Sequence, residues 1–285
     1  MALSKFNYAK PSSLDEATEI LSKHGENAHI LAGGTDLIPD IRGDLIEPGY
    51  VVDIKEIPEL NKLSFDEGEG LRIGAAVPLD RLENFDVLKK RFKPLWDAVK
   101  QLADPILRNR ATLAGNICTA SPAGDSAPSL LVLQAEVETV SESGERVIPI
   151  QDFFTGVKRS SLSEDELVKS IKIPTPSKNA VGNYRKWTRL QSEDLALVGV
   201  AGLATDPEDG ELRIALSSVG PTPLYVPEVE KILKKEKDLD KRIQKAFTTV
   251  KEKISPITDV RCSEDYRFYM AGILTKRVVR KILEE

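Results

Sequence analysis

Two adjacent glycines, Gly33-Gly34, stand directly behind the apolar run Ala28–Leu31, and they restrict the possible folds more than any other feature. Four apolar-leaning residues ending in paired glycines read as a buried strand running into a tight turn. Without side chains, such a turn can bend sharply and approach a ligand closely. Its successive backbone N–H groups form a nest suited to an anion such as pyrophosphate, and Thr35 and Asp36 could add a hydroxyl and a carboxylate. A plain tight turn would carry the same residues. Upstream, Ser13-Leu-Asp-Glu16 predicts a capping box, with Ser13 accepting from the Glu16 amide and Glu16 reaching back. Leu14, Ala17, Ile20 and Leu21 follow at helical spacing, and the helix should stop near Gly25. Asp36–Ile41 is a short helix or an irregular turn, and Tyr50–Ile54 a second buried strand. These pieces form a small α/β unit over residues 1–55.

The next unit, residues 56–176, opens with a hairpin turn at Gly68–Gly70 before the strand Leu71–Val77. Leu79–Asn84 reads as a short helix. Leu88–Asp104 reads as a longer one that restarts at Pro94, because an internal proline breaks the ladder but suits a first turn. Leu130–Val140 is a helix end or strand, Arg146–Ile150 its hairpin partner across Ser143-Gly144, and Asp165–Ile173 a strand closed by Pro174 and Pro176. The stretch Pro-Thr-Pro-Ser-Lys-Asn at 174–179 is the domain boundary. Over residues 177–285, Tyr184–Thr188, Ala196–Ala204, Glu211–Val219 and Pro223–Val226 predict a three- or four-stranded antiparallel sheet, with a turn at Asp206–Gly210. Val229–Lys235, Lys241–Lys253 and Ser263–Glu285 then predict helices. Sheet first and helices afterwards make this part α+β.

Composition removes several functions. The net charge of -5, with acidic and basic residues interleaved, leaves no basic stripe for nucleic acid. No apolar run approaches the roughly 18 residues of a membrane span. The start MALSKFNYAKPSS lacks the apolar core of a signal peptide, so a cytoplasmic protein is expected. Two cysteines, Cys118 and Cys262, are too few for an iron–sulfur cluster, and two histidines, His24 and His29, too few for zinc. Redox chemistry in this chain would need an organic cofactor.

A second glycine turn, Thr112-Leu113-Ala114-Gly115-Asn116-Ile117, runs into Thr119-Ala120-Ser121-Pro122-Ala123-Gly124-Asp125. Small and hydroxyl residues dominate, and Asp125 is its one charge. Such a stretch suits a backbone lying against a ligand, or a buried loop that satisfies its own groups. No G-x-x-x-x-G-K-[ST] occurs, and Gly68-Glu-Gly70-Leu-Arg-Ile-Gly74 has the wrong spacing for a Rossmann fingerprint.

Taken together, these motifs resemble the FAD-binding medium subunit of the xanthine dehydrogenase and carbon monoxide dehydrogenase family of molybdenum hydroxylases. The resemblance rests on Ala32-Gly-Gly-Thr-Asp36, Arg108-Asn-Arg-Ala-Thr-Leu-Ala-Gly-Asn-Ile117, Ala120-Ser-Pro-Ala-Gly-Asp125 with Pro128, Phe153-Phe154, Ile171-Lys-Ile-Pro174, Tyr184-Arg-Lys186 and Asp194-Leu-Ala196, in the family's order. It implies an α+β protein: two α/β subdomains gripping FAD, then a C-terminal domain of small antiparallel sheet plus helices. The implied cofactor residues are Leu31, Ala32, Gly33, Gly34, Thr35 and Asp36 around the pyrophosphate, and Thr112, Ala114, Gly115, Asn116 and Ile117 on the opposing wall. Ser121 and Asp125 would bond ribityl or ribose hydroxyls, Val168 would pack near the flavin or adenine, and Lys186 would approach the pyrimidine edge of the flavin.

By the same resemblance, a large partner subunit oxidises substrate at a molybdenum–pterin cofactor. A small partner passes electrons through two [2Fe–2S] clusters, and FAD in this chain hands them to an external electron acceptor. No general base or nucleophile is required, and no catalytic triad is found. Relatives that reduce aromatic acyl-CoA thioesters carry an extra cysteine-rich loop, which this cysteine count disfavours. Cys118 is expected to be a small packed residue. Two other readings are a flavin-free scaffold subunit of the same kind of complex and a stand-alone flavin oxidoreductase. Intact glycine turns weigh against the first, and the lack of room for a substrate domain against the second.

Overall fold

The structure is a computed structural model describing residues 5–190 and 194–284. The outer ends of the predicted first and last units, at residues 1 and 285, and the last residue of the predicted Ser263–Glu285 helix lie outside the described residues.

The chain begins with β1 (Asn7–Ala9), α1 (Leu14–His24), β2 (Ala28–Leu31), α2 (Leu37–Arg42) and β3 (Tyr50–Asp53). The strands form a parallel sheet in the order β1-β3-β2. Ser13 caps α1 as expected, accepting from the Glu16 amide at 3.2 Å. Glu16 reaches past Ser13, however, and accepts from the amide and hydroxyl of Ser12 at 2.7 and 3.0 Å. Gly25, at φ +49°, ends the helix where predicted.

There follow β4 (Leu63–Asp66), β5 (Gly70–Gly74), α3 (Leu79–Glu83), α4 (Asp86–Arg91), α5 (Lys93–Gln101), α6 (Pro105–Arg108), α7 (Leu113–Cys118), α8 (Ala127–Val132), β6 (Glu136–Ser141), β7 (Gly144–Pro149), α9 (Ile150–Phe153), β8 (Phe154–Gly156), β9 (Arg159–Ser160) and β10 (Leu167–Ile173). Five of these strands make an antiparallel sheet, β4-β5-β10-β6-β7, with a bulge between Val168 and Ser170. Pro94 sits in the first turn of α5 and separates it from α4, so the predicted restart holds. The segment read as helix end or strand is both: α8 finishes at Val132 and β6 starts at Glu136.

The last part holds β11 (Val181–Trp187), β12 (Val198–Ala204), β13 (Leu212–Ser217), β14 (Leu224–Tyr225), α10 (Ile232–Lys235), α11 (Leu239–Lys251) and α12 (Glu264–Glu284). Its strands form one antiparallel sheet in sequence order. On one face α12 lies so close that a Cβ on Gly202 would meet Ile282 and Val278 at 2.7 Å. Here Val198, Val200, Leu216, Ala246, Val278 and Ile282 share a core. The other face joins the core of the preceding sheets through Tyr184, Ala201, Leu203 and Ala215. The C-terminal sheet therefore has one face on its own helices and the other on the glycine-turn half. The architecture is α+β, as the sequence predicts.

Candidate functional site

β2 ends at Leu31, whose carbonyl accepts from the Ile54 amide, and the chain then turns through the two glycines. Gly34 has φ +76°, in the left-handed region that glycine enters without a Cβ penalty. Gly33 is needed for space: a Cβ there would run into the Arg110 carbonyl oxygen and stand 2.9 Å from Ala111 Cα. The first glycine turn is thus packed onto the backbone that enters the second. The amides of Gly33, Gly34, Thr35 and Asp36 donate to no acceptor among the described residues. Polar backbone in a half-buried turn is paired with water or ligand when protein does not serve it.

The second turn is held from below. Buried Arg108 donates to Glu83 Oε2 at 2.8 Å and to the carbonyls of Leu102 and Ala103 at 3.1 and 2.8 Å. The Leu79 amide bonds the Ala111 carbonyl, and Thr112 bridges to Pro78. Thr112 is the N-cap of α7, its hydroxyl accepting from the Gly115 amide at 3.0 Å. Thr119 Oγ1 lies 2.9 Å from Asp36 Oδ2 and links the two turns directly. Asn116 Oδ1 accepts from Ser126 Oγ at 2.5 Å, and Ser121 Oγ accepts from the Ala123 amide at 3.2 Å. Ala114 and Ile117 face inward in the core, which also contains Val168 on β10. Cys118, at the end of α7, keeps surface exposed, yet the protein around it pushes its thiol up to about 12. The packed position expected for it therefore holds only in part; Ile117 beside it is buried in the core.

Asp125 is buried, and residues from the far half of the chain hold its carboxylate. Tyr184 Oη donates to Oδ1 at 2.8 Å, and Lys186 Nζ to Oδ2 at 3.0 Å. Both side chains of the ion pair are more than nine-tenths buried, so Lys186 is not an ordinary surface strand lysine. Burial pushes the Asp125 carboxyl up, and Lys186 and Tyr184 pull against it. Burial also pushes the Tyr184 phenol well above its usual value, with Asp125 adding to the effect.

The structure therefore brings Gly33 against Arg110 and Ala111, and Asp36 onto Thr119, on either side of Thr112–Ile117. It sets Ser121 and Asp125 at the end of the same small-residue stretch, and Lys186 on Asp125. Val168 lies in the core behind the wall. Arg108, Thr119 and Tyr184 were not singled out as site residues. Tyr184 and Lys186 do alternate on one strand, a spacing that puts both on one face. Two open grooves of about 370 and 410 Å³ are present, one between α5, β11 and α12 that Tyr184 and Lys186 help to line and one beside α1, and no residue of either glycine turn lines them. Among the described residues no group of three or more metal-ligating side chains occurs, and no helix is long and apolar enough to cross a membrane.

The residues present fit a dinucleotide: four free amides offer an anion nest, and small residues on both walls allow close approach. Comparison with known proteins agrees. The family described as the FAD binding domain in molybdopterin dehydrogenase matches residues 4–176, and the CO dehydrogenase flavoprotein C-terminal domain matches residues 183–282. The carbon monoxide dehydrogenase medium chain of Hydrogenophaga pseudoflava is 30% identical over 96% of each chain. The xanthine dehydrogenase FAD-binding subunit of Escherichia coli is 28% identical over 96% of this chain and 94% of its own. In a solved structure of the Hydrogenophaga pseudoflava carbon monoxide dehydrogenase lacking the Mo-pyranopterin moiety of its cofactor, one chain superimposes with a TM-score of 0.94 at 30% identity, covering 100% of this chain and 99% of that one. This chain belongs to the FAD-binding medium-subunit family of the molybdopterin dehydrogenases, a family of oxidoreductase subunits.

Proposed function

We propose that the chain carries FAD as the electron-transfer subunit of a heteromeric molybdenum hydroxylase. In this reading a small partner subunit delivers electrons from [2Fe–2S] clusters, and an external acceptor removes them. Substrate is oxidised at a molybdenum–pterin centre on a large partner subunit. The observation that carries the reading is the row of four unserved amides, Gly33 to Asp36, pressed against the second glycine turn. These amides bind the pyrophosphate, and Thr112, Gly115 and Asn116 form the facing wall. Ser121 and Asp125 accept from ribityl or ribose hydroxyls. Lys186 places a cation beside the pyrimidine edge, where negative charge collects on reduction. Bound FAD supplies the change between one-electron and two-electron transfer. The chain's own part is to bind and orient the ring and to set the charge around it.

The proposed division of the chain is 1–55 and 56–176 for the two halves of the flavin grip and 177–285 for the C-terminal unit. The compartment we propose is the cytoplasm, where unpaired thiols such as Cys118 and Cys262 stay reduced. A visible absorption spectrum of the purified chain, with the released cofactor weighed by mass spectrometry, tests the central claim. One FAD per chain is expected. A chain that takes up no added FAD, alone or with its partner subunits, overturns it and favours a scaffold role.

A further inference from the structure

Tyr184 and Lys186 leave the same face of β11 and end on the same carboxylate. Lys186 balances the charge of Asp125. Tyr184 brings a hydrogen bond without charge, and its surroundings show how tightly it is held. The ring is 1% exposed and fills a notch above Gly199, where a Cβ would stand 2.8 Å from Tyr184 Oη. Ser217 Oγ, also buried, borders the same notch and hydrogen-bonds toward the phenol oxygen, which offsets part of the push that burial gives it. From α5, Gln101 Nε2 donates to the Tyr184 carbonyl at 3.4 Å. With its backbone and ring both confined, the phenol is fixed on Asp125 Oδ1.

We propose that Tyr184 is a positioning residue for the cofactor: it sets the plane of the Asp125 carboxylate and keeps it an ionised acceptor for the hydroxyl groups of the FAD chain. The inference rests on the flavin reading above. A carboxylate has about four lone-pair sites, so two remain for a ligand after Tyr184 and Lys186 are served. Buried with one partner fewer, the group would take up a proton more readily and turn one acceptor oxygen into a donor. Lys186 is the charged group that faces Asp125. Neighbouring side chains from α7, the 121–126 stretch and β13, namely Asn116, Ser126 and Ser217, are neutral, and Asp97 of α5 pairs with Lys93 and Asn183. Burial keeps the Tyr184 phenol protonated, hence a donor, across the range of the test.

The test is the dissociation constant of FAD, read by flavin fluorescence, for the full chain and Tyr184→Phe between about pH 5 and about pH 8.5. Phenylalanine keeps the ring in its notch and removes only the hydroxyl. Its low-pH limb of binding is expected to move up by about one unit, so that Kd relative to wild type grows about tenfold as pH falls. Asp125→Asn is expected to abolish that limb, and adding Tyr184→Phe to it should change the pH profile no further. Parallel curves for wild type and Tyr184→Phe, whether coincident or uniformly offset, overturn the proposal, because a merely structural tyrosine weakens binding equally at every pH. A wild-type chain without FAD affinity overturns the flavin reading and this inference together.

Discussion

At the residue scale, Gly33 shows how a single absent Cβ joins two distant turns. The constraint at Gly34 is its own dihedral angle, but at Gly33 it is the backbone of Arg110 and Ala111 in another part of the chain. Gly33→Ala should therefore push the two turns apart. Overpacking of this kind costs about 1–3 kcal/mol, measurable by urea unfolding. It should also weaken FAD binding more than Gly220→Ala does, since a Cβ at Gly220 would meet only the Thr222 carbonyl at 3.7 Å, an ordinary contact. Equal effects of the two changes on FAD affinity would show that the approach of Gly33 to Arg110 plays no part in the site. The glycine pair was legible in the sequence because it followed an apolar run. That one glycine serves conformation and the other contact was not, since local residues do not reveal which distant backbone lies alongside.

At the element scale, α12 does more than cover the C-terminal sheet. Its Arg267 is 1% exposed and donates to the Leu197 carbonyl at 3.0 Å, while Nη2 pairs with Asp259 at 2.7 Å. The same guanidinium lies 3.4 Å from the Ser218 carbonyl, and the Ser218 amide bonds Pro122 beside Ser121. The Arg261 guanidinium and amide, with Arg267 behind them, outweigh burial and hold the Asp259 carboxyl far below its ordinary value. A carboxyl depressed in the folded state stabilises fully above its unfolded value, about 4, and the contribution is lost as pH falls below that. Asp259→Asn should cost about 1.5–3 kcal/mol at neutral pH and flatten the fall of stability below about pH 4. An unchanged acid slope, read by urea titration at several pH values, would remove Asp259 from this role. Elements of this length are readable from periodicity, and α12 runs over nearly the predicted span. β1 and β4 were not. Asn7–Ala9 is too short to show alternation and exists because β3 lies beside it, and Leu63–Asp66 shows two apolar residues that only β5 makes into a strand.

At the scale of the whole molecule, the flavin site and the C-terminal sheet share residues. Asp125 belongs to the second glycine stretch, while both of its protein partners sit on β11, and the core of the first half continues into Tyr184, Ala201, Leu203 and Ala215. The sequence showed Asp125 and Lys186 as separate candidates. Their pairing depends on the edge strand of one sheet reaching a loop of another unit, which no local pattern encodes. A ligand that fixes Asp125 must then also favour the seated position of β11 and, through its register with β12, of the sheet behind it. At one hundred times its dissociation constant, FAD should add about 2.7 kcal/mol to the stability of the whole chain if it binds only the folded form. Hydrogen exchange can locate that gain. If the halves are coupled as the Asp125 contacts require, amides of Val198–Ala204 should slow with FAD along with those of the two glycine turns. Slowing confined to 33–36 and 112–117, with the C-terminal strands exchanging as before, would mean that the sheet is seated independently of the cofactor and that the Asp125 pairing carries no coupling between them.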